Sequence, residues 1–153
     1  MKKIAIYLAL VLLIVCLPAA AAPGNTAQPN ASLYLSSYGG NTYNGEDDGR
    51  IYAEFHVIAT GTMDEIGAKR IEIQEYYQSS TSDEGGWLPV AIYTSDNVPK
   101  LMSSGTDLYG TSVSYPRTAG KKYRAEITVY AGKNGGGDSR IYTTVPVVAN
   151  PVK

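Results

Sequence analysis

Between residues 50 and 60, apolar and polar side chains change places at every position: Ile51, Ala53, Phe55, Val57 and Ala59 alternate with Tyr52, Glu54, His56, Ile58 and Thr60. Only an extended backbone, whose successive side chains point to opposite faces, turns that rhythm into one oily and one wet surface. Residues 123–131 repeat it, with Tyr123, Ala125, Ile127, Val129 and Ala131 on one parity and Arg124, Glu126, Thr128 and Tyr130 on the other. Residues 69–77 do so around Ile71 and Ile73, with Glu72, Gln74 and Tyr76 opposite. Weaker runs at 32–37, 87–93, 108–115 and 140–147 bring the count to seven, the last with Ile141, Thr143 and Val145 on one parity. No amphipathic helical stripe of ten residues intervenes. The expected fold is all-β, a two-sheet antiparallel sandwich of about seven strands.

One short break in the pattern looks helical. Residues 61–67, Gly-Thr-Met-Asp-Glu-Ile-Gly, have the Thr-x-x-Glu spacing of a capping box and a glycine stop. They predict a single helical turn whose Met63 and Ile66 plug the end of the core. Pro146 and Pro151 interrupt any ladder near the C-terminus, which suits an edge strand.

Ahead of the sandwich, Met1-Lys2-Lys3 is followed by an apolar run from Ile4 to Leu17, then Pro18 and four alanines. That order of charge, apolar stretch and small residues reads as a secretory signal over residues 1–21. An uncleaved anchor and a lipoprotein at Cys16 are the competing readings; Val15 stands where lipoproteins carry a small residue, and Pro18 opposes a spanning helix. The division expected is signal 1–21, polar disordered lead-in 22–31, sandwich 32–148 and tail 149–153. The mature chain is expected outside the cell with no stable membrane span, and a bacterial origin fits the leader.

Cleavage removes Lys2, Lys3 and the one cysteine, taking the formal charge from −1 to −3. A thiol-free domain of this size can still bury about two thirds of its surface and hold a core without disulfides. A mildly acidic chain lacks the clustered lysines and arginines of a nucleic-acid footprint. With one histidine there is no His-pair metal motif, so no cofactor is implied.

Two stretches carry a family resemblance. The segment from Gly120 through Tyr123, Ala125, Ile127, Val129 and Ala131, followed by Gly135-Gly-Gly-Asp-Ser139, resembles the penultimate strand and last turn of fibronectin type III and related immunoglobulin-like domains. Ile71-Glu-Ile73-Gln-Glu-Tyr76-Tyr and Ser82-Asp-Glu-Gly-Gly-Trp87-Leu-Pro-Val90 look like the third and fourth strands of such a domain. The resemblance implies an immunoglobulin-like topology with Tyr123 as a corner tyrosine, its hydroxyl bonded to backbone across the strand-crossing arch. The chain departs from it in having Pro116 seven residues before that tyrosine and no tryptophan in residues 50–60, where Phe55 takes the space. Residues 62–71 also resemble a segment of small exported proteins of Gram-positive gut bacteria, which implies no activity.

Chemistry is sparse. His56 has outward parity and no nucleophile motif near it, so it reads as a surface residue and not as part of a catalytic triad. Residues 44–49, Asn-Gly-Glu-Asp-Asp-Gly, open like a calcium loop, but the twelfth position of that loop is Phe55 and an EF-hand is excluded. A looser calcium site shared with Asp83, Glu84 or Asp138 is left open. The oddity is tyrosine, at 13 residues against one phenylalanine and one tryptophan. Parity sends Tyr76, Tyr130 and Tyr142 outward, and the immunoglobulin-like order makes their strands neighbours, sharing a face with Gln74, Arg124 and Thr128.

Such a face suits a protein or glycan partner, because tyrosine offers contact area at low entropic cost. Equally, aromatic cross-strand pairs stabilise an exposed sheet by about 0.2 to 1 kcal/mol each. Trp87 divides between edge packing and ligand stacking in the same way. The reading is a secreted, non-catalytic binding module with Tyr76, Tyr130, Tyr142, Arg124 and Trp87 as contact residues. The alternatives are a small polysaccharide hydrolase using loop carboxylates, and a calcium-dependent carbohydrate-binding module.

Overall fold

A computed structural model describes residues 32–46, 48–78 and 85–151. The signal (1–21), the lead-in (22–31), Asp83 and Glu84 lie outside the described residues. Among the described residues seven long strands and two short ones form two antiparallel sheets. β1 (Leu35–Asn44), β2 (Arg50–Met63) and β6 (Thr106–Pro116) make the smaller sheet in the order β1-β2-β6. β3 (Glu65–Gln78), β4 (Gly85–Thr94), β7 (Lys122–Lys133) and β8 (Gly136–Thr143) make the larger in the order β4-β3-β7-β8. Two-residue strands extend the larger sheet, β5 (Met102–Ser103) on β3 and β9 (Val147–Val148) on β7. The architecture is the two-sheet antiparallel sandwich expected from the alternation.

The core lies between the sheets and is built from the predicted parities. Ile51, Ala53, Phe55, Val57 and Ala59 of β2 face Ile71 and Ile73 of β3 and Tyr123, Ala125, Ile127, Val129 and Ala131 of β7, all buried. Each large aliphatic side chain so removed from water contributes about 1.5 to 3 kcal/mol. A 3-10 turn, Pro99–Leu101, drops Leu101 into one end of this core. Among the described residues no helix is long and apolar enough to cross a membrane.

Tyr123 is fully buried, and its hydroxyl both accepts from the Thr118 backbone N–H at 3.1 Å and donates to Glu75 at 2.8 Å. This is the corner arrangement expected of it, with the arch of residues 117–121 held over the start of β7. Burial is the main reason its phenol is harder to ionise than usual.

Two expectations need correction. Residues 61–67 form no helical turn: β2 runs to Met63, Asp64 turns the chain, and β3 starts at Glu65. The capping-box pattern loses to strand pairing, because Asp64 N–H bonds Gly132 and Gly67 pairs with Met102 so closely that a Cβ there would stand 2.1 Å from the Leu101 carbonyl oxygen. Met63 and Ile66 are buried all the same. The second correction concerns β8. Asn134 (φ 53°) and Gly135 (φ 79°) form a two-residue hairpin turn of the type that matches strand twist, and it pairs Lys133 with Gly136. That register sets Tyr142 opposite Ile127, facing inward, and turns Ile141 outward, 64% exposed.

A candidate binding face on the larger sheet

The outward side of β3, β4 and β7 carries a linked set of side chains. Trp87 of β4 lies opposite Tyr76 of β3, and Gln74 of β3 lies between Pro89 of β4 and Arg124 of β7. The rings of Tyr76 and Trp87 meet edge to face at 5.3 Å, an arrangement favoured by their quadrupoles. The Arg124 guanidinium sits 4.3 Å from the centre of the Trp87 ring, and the Lys122 ammonium 5.7 Å from that of Tyr76.

Arg124 is held from behind. Its Nε donates to Gln74 Oε1 at 2.7 Å, and Gln74 Nε2 donates to Glu72 Oε1 at 2.8 Å. Glu72 is bonded in turn by Arg70. Gln74 is only 7% exposed although it stands on an outer face, because its neighbours cover it. Its amide has one consistent orientation, oxygen to the arginine and nitrogen to the carboxylate. Those donors, Gln74 first and then Arg70, hold the Glu72 carboxyl below the usual glutamate value against its partial desolvation.

Pro89 and an extra residue at Val90, which shifts the register between Ile73 and Gln74, keep the β4 edge from presenting a regular ladder. The aromatic pair is thus offered by its face and not by a free strand edge.

Of the five residues expected to share this surface, three come together: Tyr76, Trp87 and Arg124. Tyr130 faces outward but lies opposite Gly67, six residues along β7 from Arg124, or about 20 Å. Its ring lies across Gly132 and Gly137, where an added Cβ would stand 2.3 Å from the hydroxyl, and carries the Lys69 ammonium 3.8 Å from its centre. Tyr142 belongs to the interior: its hydroxyl donates to the Gly39 carbonyl at 2.7 Å, its ring meets Tyr38 at 5.6 Å, and burial drives its ionisation far above the usual range. Lys122 and the Glu72–Gln74 relay complete the site without having been named as contacts. The parity of Arg124 extended two residues back points to Lys122, whereas the relay needs the cross-strand register.

Elsewhere, His56 is exposed on the outer face of the smaller sheet, opposite Gly39 and Gly110. A hollow of about 290 Å³ is lined by Asp64, Glu65, Tyr130 and the glycines of the β7–β8 turn, and another of about 290 Å³ by Glu54, Phe55, Gly110, Thr111 and Ser112. In the first, Asp64 accepts from Asn134 N–H at 2.7 Å and Glu65 pairs with Lys69 at 3.8 Å; in the second, Glu54 accepts from Asn41. Of the acids considered for calcium, Asp48 bonds the Tyr52 hydroxyl and Arg50 N–H, and Asp138 bonds Ser32 and Tyr34 N–H. Among the described residues no group of three or more His, Cys, Asp or Glu could hold a metal ion.

No family model matches the sequence, and no curated protein matches it. Among solved structures, that of Spo0M, a sporulation control protein from Bacillus subtilis, is similar with a TM-score of 0.42 and 4% identity. The match covers 79% of this chain and 51% of that one, so the chain spans about half the length of Spo0M.

Proposed function

We propose that this chain is a non-catalytic binding module, exported by its leader, that engages an extracellular protein or glycan through Tyr76, Trp87 and Arg124. The observation that carries the reading is Arg124: a guanidinium laid 4.3 Å over an indole ring and fixed by a buried amide. A fixed side chain loses little entropy when a partner arrives, which is how preorganised contacts gain affinity. A cross-strand aromatic pair needs no such support to stabilise a sheet.

A kinship with fibronectin type III domains is part of the proposal. Three strands over four, in the order β1-β2-β6 and β4-β3-β7-β8, and the Tyr123 corner support it.

The test uses the mature chain, residues 22–153, in glycan-array and pull-down experiments beside a variant with Tyr76, Trp87 and Arg124 replaced by serine. Binding should disappear in the variant while its circular dichroism and melting remain those of a folded sandwich. A folded variant that binds as well as the parent overturns the site.

A further inference from the structure

We infer that the ligand of this face is an acidic polysaccharide, whose carboxylate or sulfate groups meet Arg124 and Lys122 while its sugar rings lie against Trp87 and Tyr76. The inference rests on the contact surface proposed above and adds its chemistry.

Arg124 and Lys122 alternate on β7, so both project from the outer face about 7 Å apart. Nε of Arg124 is committed to Gln74, which leaves the end-on pair of Nη groups to meet a partner. An end-on fork of two Nη groups matches the geometry of carboxylate and sulfate oxygens. Among the described residues the carboxylates nearby do not discharge the two cations. Glu72 is engaged by Gln74 and Arg70, Glu75 by Lys121 at 3.2 Å, and among the described residues Glu126 makes no ion pair with Arg124 or Lys122. Two undischarged cations beside each other on a domain of negative formal charge are complementary to an anion.

A glycan fits this face better than a peptide does. Peptides are recognised by pairing with a strand edge or by dropping side chains into a groove or pocket. The adjacent β4 edge is interrupted by Pro89 and the extra Val90, and both hollows described above lie away from the Tyr76–Trp87 pair. A chain of flat, polar rings bearing charges needs neither.

The experiment is calorimetric titration of the mature chain with polygalacturonate, its methyl ester, dextran sulfate, uncharged dextran and poly-L-glutamate. Polygalacturonate or dextran sulfate should bind, and the stronger of the two identifies the charged group. Dextran and the ester should not bind, and added salt should weaken the complex. Arg124→Gln should cost at least about tenfold in affinity and Lys122→Gln a smaller factor, with melting unchanged. Lys122→Gln, at an exposed position, keeps the test open if Arg124→Gln fails to fold. Equal affinity for the acid and its ester, no binding to either acidic polymer, or tighter binding to poly-L-glutamate overturns the inference. If Trp87→Ser abolishes binding while both charge variants leave it intact, the acidic ligand is wrong and the contact surface stands. If none of the three matters, both fall.

Discussion

The Tyr142 hydroxyl donates to the Gly39 carbonyl oxygen at 2.7 Å, tying β8, an edge of the larger sheet, to β1, an edge of the smaller. Thr42 and Thr144 bond at 2.7 Å along the same flank. On the opposite flank the Tyr93 hydroxyl donates to the Ser114 carbonyl at 2.8 Å, joining β4 to β6. Edge strands carry carbonyls with no ladder partner, and burying them unpaired is costly. A phenol fills the gap between sheets with its ring and satisfies an edge carbonyl with its hydroxyl. Phenylalanine does only the first. At Tyr142 and Tyr93 this accounts for tyrosine standing where phenylalanine would fill the core equally well, in a chain with 13 tyrosines and one phenylalanine.

Tyr142→Phe keeps the ring and leaves the Gly39 carbonyl without its donor. The expected cost is about 0.5 to 1.5 kcal/mol, the net worth of such a bond. Tyr77→Phe, at a position 52% exposed, should stay within about 0.5 kcal/mol of the parent. Urea unfolding midpoints decide it, and equal midpoints for the two variants would remove the hydroxyl from the account of the flank.

At high pH the same phenols become a weakness. Burial is the leading cause of the raised ionisation of Tyr142, Tyr123 and Tyr93. Because folding favours their neutral form, their contribution is complete below the ordinary tyrosine value of about 10 and is lost as pH climbs above it toward the folded values. Phenolate absorbance of the native protein should lag behind that of the urea-unfolded chain, and its last part should appear together with loss of near-ultraviolet dichroism. Superposable native and unfolded titrations would contradict this.

Two glycines separate close approach from mere flexibility. A Cβ on Gly40 would stand 2.0 Å from the Glu54 carbonyl oxygen and 2.6 Å from the Tyr142 hydroxyl. Gly40→Ala must push strands apart and should cost about 1 to 3 kcal/mol or more. A Cβ on Gly86 meets nothing within 4 Å. Gly86→Ala should therefore stabilise by about 0.4 to 1 kcal/mol through the unfolded chain. Thermal melts of the pair test both signs at once.

The alternation in β2, β3 and β7 was legible because each strand buries one face completely, so every position is constrained by its neighbour two residues away. β1 was legible only at its start. Residues 39–44, Gly-Gly-Asn-Thr-Tyr-Asn, have the composition of a loop, yet they pair with β2 as far as Ile51, and glycine is there because the strands run so close. The face of β8 was misread since it is set by the Asn134–Gly135 turn and not by hydropathy: Ile141 and Val145 are the exposed residues and Tyr142 the one packed partly buried against the core. In the candidate site, Tyr76 and Arg124 followed from parity and strand order, whereas Trp87 had no parity assigned and stood between edge packing and ligand stacking. Tyr130 had the right parity at the wrong height, and height along a strand depends on a pairing register that one sequence does not state.

Glu72 supplies the final prediction. Its carboxyl is held below the ordinary glutamate value by Gln74 first and Arg70 second. A depressed value in the folded state means that the stability it contributes is present above the ordinary value of about 4.3 and disappears as pH falls below it through the folded value. Protonation also weakens the charged acceptor that orients the Gln74 amide, and so loosens the Arg124 guanidinium at 2.7 Å from Gln74. Glu72→Gln should flatten the fall in melting temperature between about pH 5 and pH 2 relative to the parent. In the parent, the Arg124 Nε–H resonance should be protected from exchange at neutral pH and lose that protection over the same acid range, whereas Gln74→Leu should lose it at every pH. Parallel melting profiles for parent and Glu72→Gln, or an Nε–H indifferent to both changes, would disconnect the carboxylate from the arginine it is expected to steady.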